Sequence, residues 1–511
     1  MTVLRKLLTN IAAVALLGGP TLSAAGISGV VIRASEDIAV PGHGRVFVVF
    51  SRESDPEPRF KPGEQVENAD PFFGADVAGW DGGAMSLPGD AVGYPLARLE
   101  DLADGQWYAQ AVYDTNNVLS GINAPGNYYS DVVRVISGAG AAEITLTLSR
   151  QEPEESLPAG TTELKFVRIR SELLSGYYEE DVYIRAAVLL PRGYAESDVR
   201  YPVAYHIGGL KARYTRALEL LDDEAFMAFW NADEAPQMIM VFLDGESPYG
   251  DSYQVNSANS GPYGDANMRE LFPALQQRFR MLDSPDARFV SGCSTGGWVS
   301  LALQVFYPDY FNGVWSFSPD SPSFRAFQLV NLLEDENAFV NEYGYERPSM
   351  RETDGEPVFS IRQEVAMERA LGAGDSFTLS GQQWGVWNAI FGPRAADGTP
   401  APAWDQETGV IDGRVVAAWQ AYDLNDYLKE NWSTLGERLR GKIHVVMGDM
   451  DNFYLTEGAR ILERTLSELS SPAANAEFRY VPYHGHCEFG TQMYYINVIE
   501  AMARAYEASV R

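Results

Sequence analysis

Two hydrophobic periods divide the chain. From residue 27 to about 150, apolar and polar positions alternate in short runs such as Ile27–Arg33, Arg45–Ser51, Gln106–Tyr113, Asp131–Ile136 and Ala142–Ser149. Turns rich in Gly, Asp, Asn and Pro separate them, and almost nothing in the segment has helical period. A two-residue period turns one face of a strand to a core and the other to water, so the segment predicts a small all-β sandwich. It holds one histidine, His43, and no clustered chemistry, so an accessory or binding role is expected of it. Such a unit would dock at or near an active-site mouth, or bind a polymer, without doing chemistry. The polar stretch 151–160, QEPEESLPAG, reads as a linker.

From about residue 161 to 511 the pattern changes. Continuous apolar runs, Pro202–Ile207, Gln237–Leu243, Arg288–Ser291 and Lys442–Met447, alternate with helix-period segments at Asn267–Phe279, Leu455–Leu469 and Tyr494–Tyr506. Strands that are apolar throughout are covered on both faces, so the pattern predicts an α/β unit: a mostly parallel sheet with helices on both sides. Between about 320 and 440 the pattern loosens and Trp, Gly and Pro accumulate, which predicts an inserted lid over the sheet edge.

Composition narrows the setting. A hydrophobic share of 46% supplies a core, so the chain is globular. Its net charge of −31 argues against nucleic acid and anionic membrane surfaces, which both require clustered Lys and Arg. The first 25 residues have the form of an export signal. Arg5 and Lys6 precede the apolar run Ile11–Leu17, and Ser23, Ala24 and Ala25 offer a cleavage site before Gly26. No later run is long and apolar enough to insert into a membrane. The expectation is a secreted or periplasmic protein, in a compartment where the two cysteines, Cys293 and Cys487, can pair.

The stretch Ser291-Gly-Cys-Ser-Thr-Gly-Gly-Trp298 carries Gly-x-Ser-x-Gly between the strand ARFVS and the helical GWVSLALQVF. Strand, sharp turn and helix form the nucleophile elbow of an α/β-hydrolase, in which glycines relieve crowding around a strained serine. That makes Ser294 the candidate nucleophile. The base must follow it, because this fold orders its triad Ser, acid, His. Of the five histidines this excludes His43 and His206, and His444 lies within a strand as a partnered core residue. His484 and His486 remain, in the loop Val481–Gly490 before the last helix. The acid belongs after the strand Lys442–Met447; Asp451, three residues past Gly448, is favoured, with Asp449 as a helper or turn residue. An oxyanion hole needs two backbone N–H groups: Thr295 supplies one, and Leu210 or Gly209, in the loop His206–Tyr214, the other. No HExxH, CxxC, GxxxxGK[ST] or GxGxxG motif calls for a metal, nucleotide or other cofactor. The acidic loop Asp244–Asp251 reads as solvated surface rather than a calcium site.

With these residues placed, the chain resembles the esterase branch of the α/β-hydrolases, the group around esterase D and enterochelin esterase. The resemblance runs over about residues 165–500, through Ala186–Tyr194, Asn256–Ala266, Arg288–Trp298, Tyr307–Asp320 and Lys442–Leu455. It implies a serine ester hydrolase with Ser294, Asp451 and His486 as triad. The pairs Cys293-Ser294 and His486-Cys487 are instead similar to the tannase and feruloyl esterase family, in which two such cysteines bond and tie the triad together. That resemblance implies a Cys293–Cys487 disulfide and suggests aromatic, feruloyl-type or polymer-linked esters as substrates. Export and the adjacency of both thiols to proposed catalytic residues point the same way. A disulfide holds its Cα atoms about 5.5 Å apart, which favours His486, adjacent to Cys487, over His484. An acyltransferase on the same triad and a non-catalytic binding protein on a hydrolase scaffold are the alternatives. Oligomeric state leaves no mark in the sequence.

Overall fold

The computed structural model describes residues 27–138 and 143–511; the predicted export signal over residues 1–25 lies outside the described residues. The N-terminal unit is built from β1 (Gly29–Ala34), β2 (His43–Ser51), β3 (Phe72–Ala78), β4 (Met85–Ser86), β5 (Val92–Tyr94), β6 (Gly105–Asp114), β7 (Tyr128–Ser130), β8 (Val133–Ser137) and β9 (Glu143–Gln151). They are ordered β4-β1-β9-β7-β6-β2-β3-β5, with β8 also on β6. The nine strands form one continuous, curled hydrogen-bonded ladder whose inner faces enclose a shared core. The reason lies in β6, whose first half pairs with β8 and whose last residues pair with β7, carrying the ladder around the bend. Val46, Val48 and Phe50 of β2 meet Ile32 of β1 and Leu146 and Leu148 of β9 inside the curl.

The central strand β2 does not alternate in burial. Its run VFVVF is buried at every position, because the opposite face is covered too. There Phe47 and Val49 pack with Met367, Ala370 and Leu371 of the second unit. Polar contacts tie down the same junction. The buried Arg45 bonds Asp76 (2.8 Å), Asp375 (3.0 Å) and the Ala370 carbonyl (3.1 Å). Gly74 lacks a side chain where a Cβ would sit 2.5 Å from the Ala370 oxygen. In the connecting stretch, Glu155 accepts from Arg213 at 2.9 Å, which holds the segment at that point.

The second unit is an eight-stranded sheet of β10 (Leu164–Arg170), β11 (Tyr183–Leu189), β12 (Val203–Ile207), β13 (Ile239–Leu243), β14 (Arg288–Cys293), β15 (Val314–Phe317), β16 (Ile443–Gly448) and β17 (Glu477–Val481). The spatial order is β10-β11-β13-β12-β14-β15-β16-β17. The β10–β11 and β11–β13 pairings are antiparallel and the others parallel. Successive residues feed opposite faces. Val203 and Tyr205 join the core under α1 (Thr295–Phe306), while Ala204 and Phe242 join the core on the other side. Between β15 and β16 a large insertion carries a short hairpin, α2 (Ile361–Leu371) and α3 (Gln383–Phe391), before α4 (Leu424–Leu439) returns to pack on the α1 side. Its tryptophans interlock as a core, with Trp384 edge-on to Trp387 and Trp404. Beyond β16, α5 (Thr456–Glu468) leads to β17, and α6 (Asn497–Ser509) closes the chain. No helix among the described residues is long and apolar enough to cross a membrane.

Candidate active site

The elbow forms because backbone must pass backbone there. Ser294, between β14 and α1, takes φ 62° and ψ −129°, a region strained for any L-residue and tolerated only where the surroundings dictate it. A Cβ on Gly292 would lie 2.3 Å from the Gly296 oxygen. One on Gly296 would lie 2.3 Å from the oxygens of Ile207 and Gly208. The two glycines therefore let α1 start hard against the end of β12. The Ser294 amide donates to the Phe317 carbonyl (3.1 Å), which fixes the turn to the neighbouring strand.

The loop after β16 brings the acid. Asp451 is fully buried, and its Oδ1 accepts from the amides of Phe453 (3.0 Å) and Leu455 (3.3 Å). Its Oδ2 accepts from His486 Nδ1 at 2.7 Å. This sets the histidine tautomer, leaving Nε2 as the basic nitrogen. The His486 amide donates to Asn452 Oδ1 (2.8 Å), and the Phe453 ring stands edge-on to the imidazole. Burial pushes the His486 pKa down. The charge and hydrogen bond of Asp451, with a further contribution from Asp320, outweigh it and hold the pKa above the ordinary histidine value.

Ser294 and His486 line one cavity of about 650 Å³. The Cys293–Cys487 disulfide joins the residues adjacent to them, with the Cα atoms 6.0 Å apart. Among the described residues the Ser294 hydroxyl has no hydrogen-bond partner. Leu210 lines the cavity and Thr295 opens α1 beside it, and the side-chain-free Gly209 runs past the Ser294 Cβ. The remaining histidines and Asp449 are engaged elsewhere. His484 Nδ1 faces the Pro482 carbonyl (3.0 Å), and Asp449 accepts from the Tyr483 amide (2.6 Å) as a turn residue. His444 pairs with Glu477 (2.9 Å) and stacks on Trp315. His206 is buried against Ser291 (3.1 Å), and His43 sits exposed at the start of β2.

Several lining residues were given no role by the sequence. Asp320, buried beside Ser294, accepts at Oδ2 from Tyr253, Thr295 (3.1 Å), Trp387 (3.1 Å) and Gln383 (3.4 Å), and its amide donates to the Ser294 carbonyl. Burial raises its pKa against these donors. More unexpected is the loop Gly63–Asn68, from the N-terminal unit, which forms part of the same cavity wall. The acidic loop Asp244–Asp251 is not solvated surface. Asp244 and Glu246 are drawn inward by Arg213, at 2.7 and 2.5 Å, and Asp251 is buried under the amides of Lys211 and Tyr253.

A parallel sheet with this elbow, followed along the chain by an acid and a histidine after later strands, defines an α/β-hydrolase. The family model described as "Putative esterase" matches residues 181–495, well over half of the chain, and the chain belongs to that family of carboxylic ester hydrolases. No curated protein matches it in sequence. Solved structures with a similar fold include a ferulic acid esterase (14% identity, TM-score 0.41, covering 68% of this chain and 98% of that one). An S-formylglutathione hydrolase from Agrobacterium tumefaciens is 15% identical (TM-score 0.38, 67% and 95% covered). A ferulic acid esterase from Anaeromyces mucronatus is also 15% identical (TM-score 0.34, 68% and 94%).

Proposed function

We propose that the chain is an exported serine esterase that works through an acyl-enzyme, with Ser294 as nucleophile, His486 as general base and then acid, and Asp451 as the group that orients it. The observation that carries this reading is the meeting of a strained elbow serine and an Asp451-bound histidine in one cavity, with their neighbours linked by a disulfide. Ser294 Oγ attacks the ester carbonyl while His486 Nε2 takes its proton, and the developing imidazolium is stabilised by Asp451. The amides of Thr295 and Leu210 hold the oxyanion. His486 then protonates the departing alcohol, and water enters by the reverse route to release the acid. The Ser294–His486 hydrogen bond closes as substrate enters, as in many unliganded active sites.

Aromatic acyl groups of the feruloyl type suit the apolar part of the wall, where Trp387, Phe359, Phe453 and Met350 offer flat and polarizable surface. The disulfide supports an oxidising compartment, and hence export with cleavage near Ala25. Ser294→Ala tests the assignment. Loss of the nucleophile should lower kcat/KM for p-nitrophenyl acetate by about 10⁴-fold or more with an unchanged circular dichroism spectrum; activity near that of the parent enzyme would defeat it.

A further inference from the structure

One wall of the cavity that holds Ser294 and His486 belongs to the N-terminal sheet. The loop Gly63–Asn68, between β2 and β3, lines it and is fixed in place. The Tyr94 hydroxyl donates to the Val66 carbonyl at 2.7 Å. Gly63, at φ +84°, lies so near the insertion that a Cβ would come within 2.3 Å of Gln382 Nε2. The side chains of Glu64, Gln65, Glu67 and Asn68 are exposed and free to meet a ligand at the mouth.

Acidic groups outnumber basic ones around this cavity, where His486 is the one basic side chain among the described lining residues. Glu64 and Glu67 come from the loop, and Asp320 and Glu364 from the hydrolase; among the described residues neither lysine nor arginine lines the cavity. The two inner carboxyls are held by donors, Glu364 by Ser349 (2.5 Å) and Trp384 (2.8 Å), so they are built into the cavity rather than swung toward it by chance. Lys211 does not line the cavity, its charge acts on Glu64 among others, and burial lowers its pKa.

We infer that the loop Gly63–Asn68 is a specificity determinant that filters esters by charge, turning away those with a carboxylate, sulfate or phosphate near the ester bond and admitting neutral or cationic ones. The inference rests on the esterase reading of the same site. Its physical basis is like-charge repulsion at a partly dry mouth, where opposition to the wrong ligand gives more discrimination than attraction to the right one.

The test uses the full-length protein and a matched pair of substrates, methyl 4-acetoxybenzoate (neutral) and 4-acetoxybenzoate (anionic). The parent enzyme should favour the neutral ester in kcat/KM. Two charges acting across a few ångströms of partly screened mouth are worth about three- to tenfold, so Glu64→Gln/Glu67→Gln should shrink the preference by that factor. Glu64→Lys/Glu67→Lys should shrink it further or reverse it. Raising the salt concentration should narrow the preference in the parent enzyme more than in the glutamine variant. Comparing ratios within each variant cancels the differing leaving groups and any partial unfolding. A ratio that neither variant moves, or a parent enzyme without preference, overturns the filter. If the parent enzyme cleaves neither ester and a fluorophosphonate does not label Ser294, the esterase reading itself has failed.

Discussion

The Cys293–Cys487 bond closes a loop over a sequence separation of 194 residues and clamps the elbow to the histidine loop, so its removal gives a measurable double effect. In the chain-entropy account, losing a cross-link of this span costs about 5 kcal/mol. Spread over an unfolding entropy of about 2.1 cal/mol/K per residue in a unit of this size, that corresponds to a fall in Tm of about 5–7 °C. A catalytic loss accompanies it, because Cys487, with φ 58°, is the residue that pulls the loop bearing His486 toward Ser294. A misplacement on the order of 1 Å in such a pair costs about 10²-fold in rate. The assay compares the oxidised enzyme, the dithiothreitol-treated enzyme and a Cys293→Ala/Cys487→Ala variant by calorimetry and by p-nitrophenyl acetate kinetics, with thiols counted after unfolding without reductant. No free thiols, a lowered Tm and a lowered kcat are expected. Two free thiols in the untreated protein, or a variant with unchanged Tm and kcat, would refute the reasoning.

Three further outcomes follow from the same geometry. The acid limb of kcat/KM should lie above the ordinary histidine range, since His486 as the proposed base must be neutral to act and its pKa is raised; Asp320→Asn, by removing one of the charges that raise it, should shift that limb to lower pH, and an unmoved limb would refute the coupling. Gly296→Ala should cost about 1–3 kcal/mol of stability along with most activity, because its Cβ meets two backbone oxygens at 2.3 Å; Gly413→Ala, with nothing within 4 Å, is the control and should leave thermal unfolding unchanged. Deleting residues 27–155 should abolish activity on small and large esters alike and lower soluble yield, since it uncovers Met367, Ala370 and Leu371 and opens the cavity wall; retained small-ester activity would show the junction to be dispensable.

The sheet and its elbow were legible because their signals are local. The apolar run of β13 and the glycines around Ser294 each follow from a short stretch of chain. The cysteine beside each catalytic candidate gave the one long-range signal, and the disulfide is present. Other features depend on what packs where. Alternation predicted a half-exposed β2, yet its unbroken VFVVF run already carried the mark of a strand covered twice; the covering helix α2 lies over 300 residues away in sequence, and no period announces it. Asp320 ends a stretch that carries the resemblance, yet it had no role there, because its surroundings come from donors on three separate segments, Tyr253, Thr295 and the α3 pair Gln383 and Trp387. The acidic loop Asp244–Asp251 reads as surface until Arg213 is found between its carboxylates. The wall formed by Gly63–Asn68 arises where two units meet, which composition cannot express.

Covalent capture of the nucleophile tests the central claim most directly. The native, oxidised protein is treated with a fluorophosphonate, digested, and mapped by mass spectrometry. The account predicts a single stoichiometric adduct on Ser294, slowed at least about 10²-fold by His486→Ala and absent in Ser294→Ala. No adduct, or an adduct on another residue at the same rate, would contradict it.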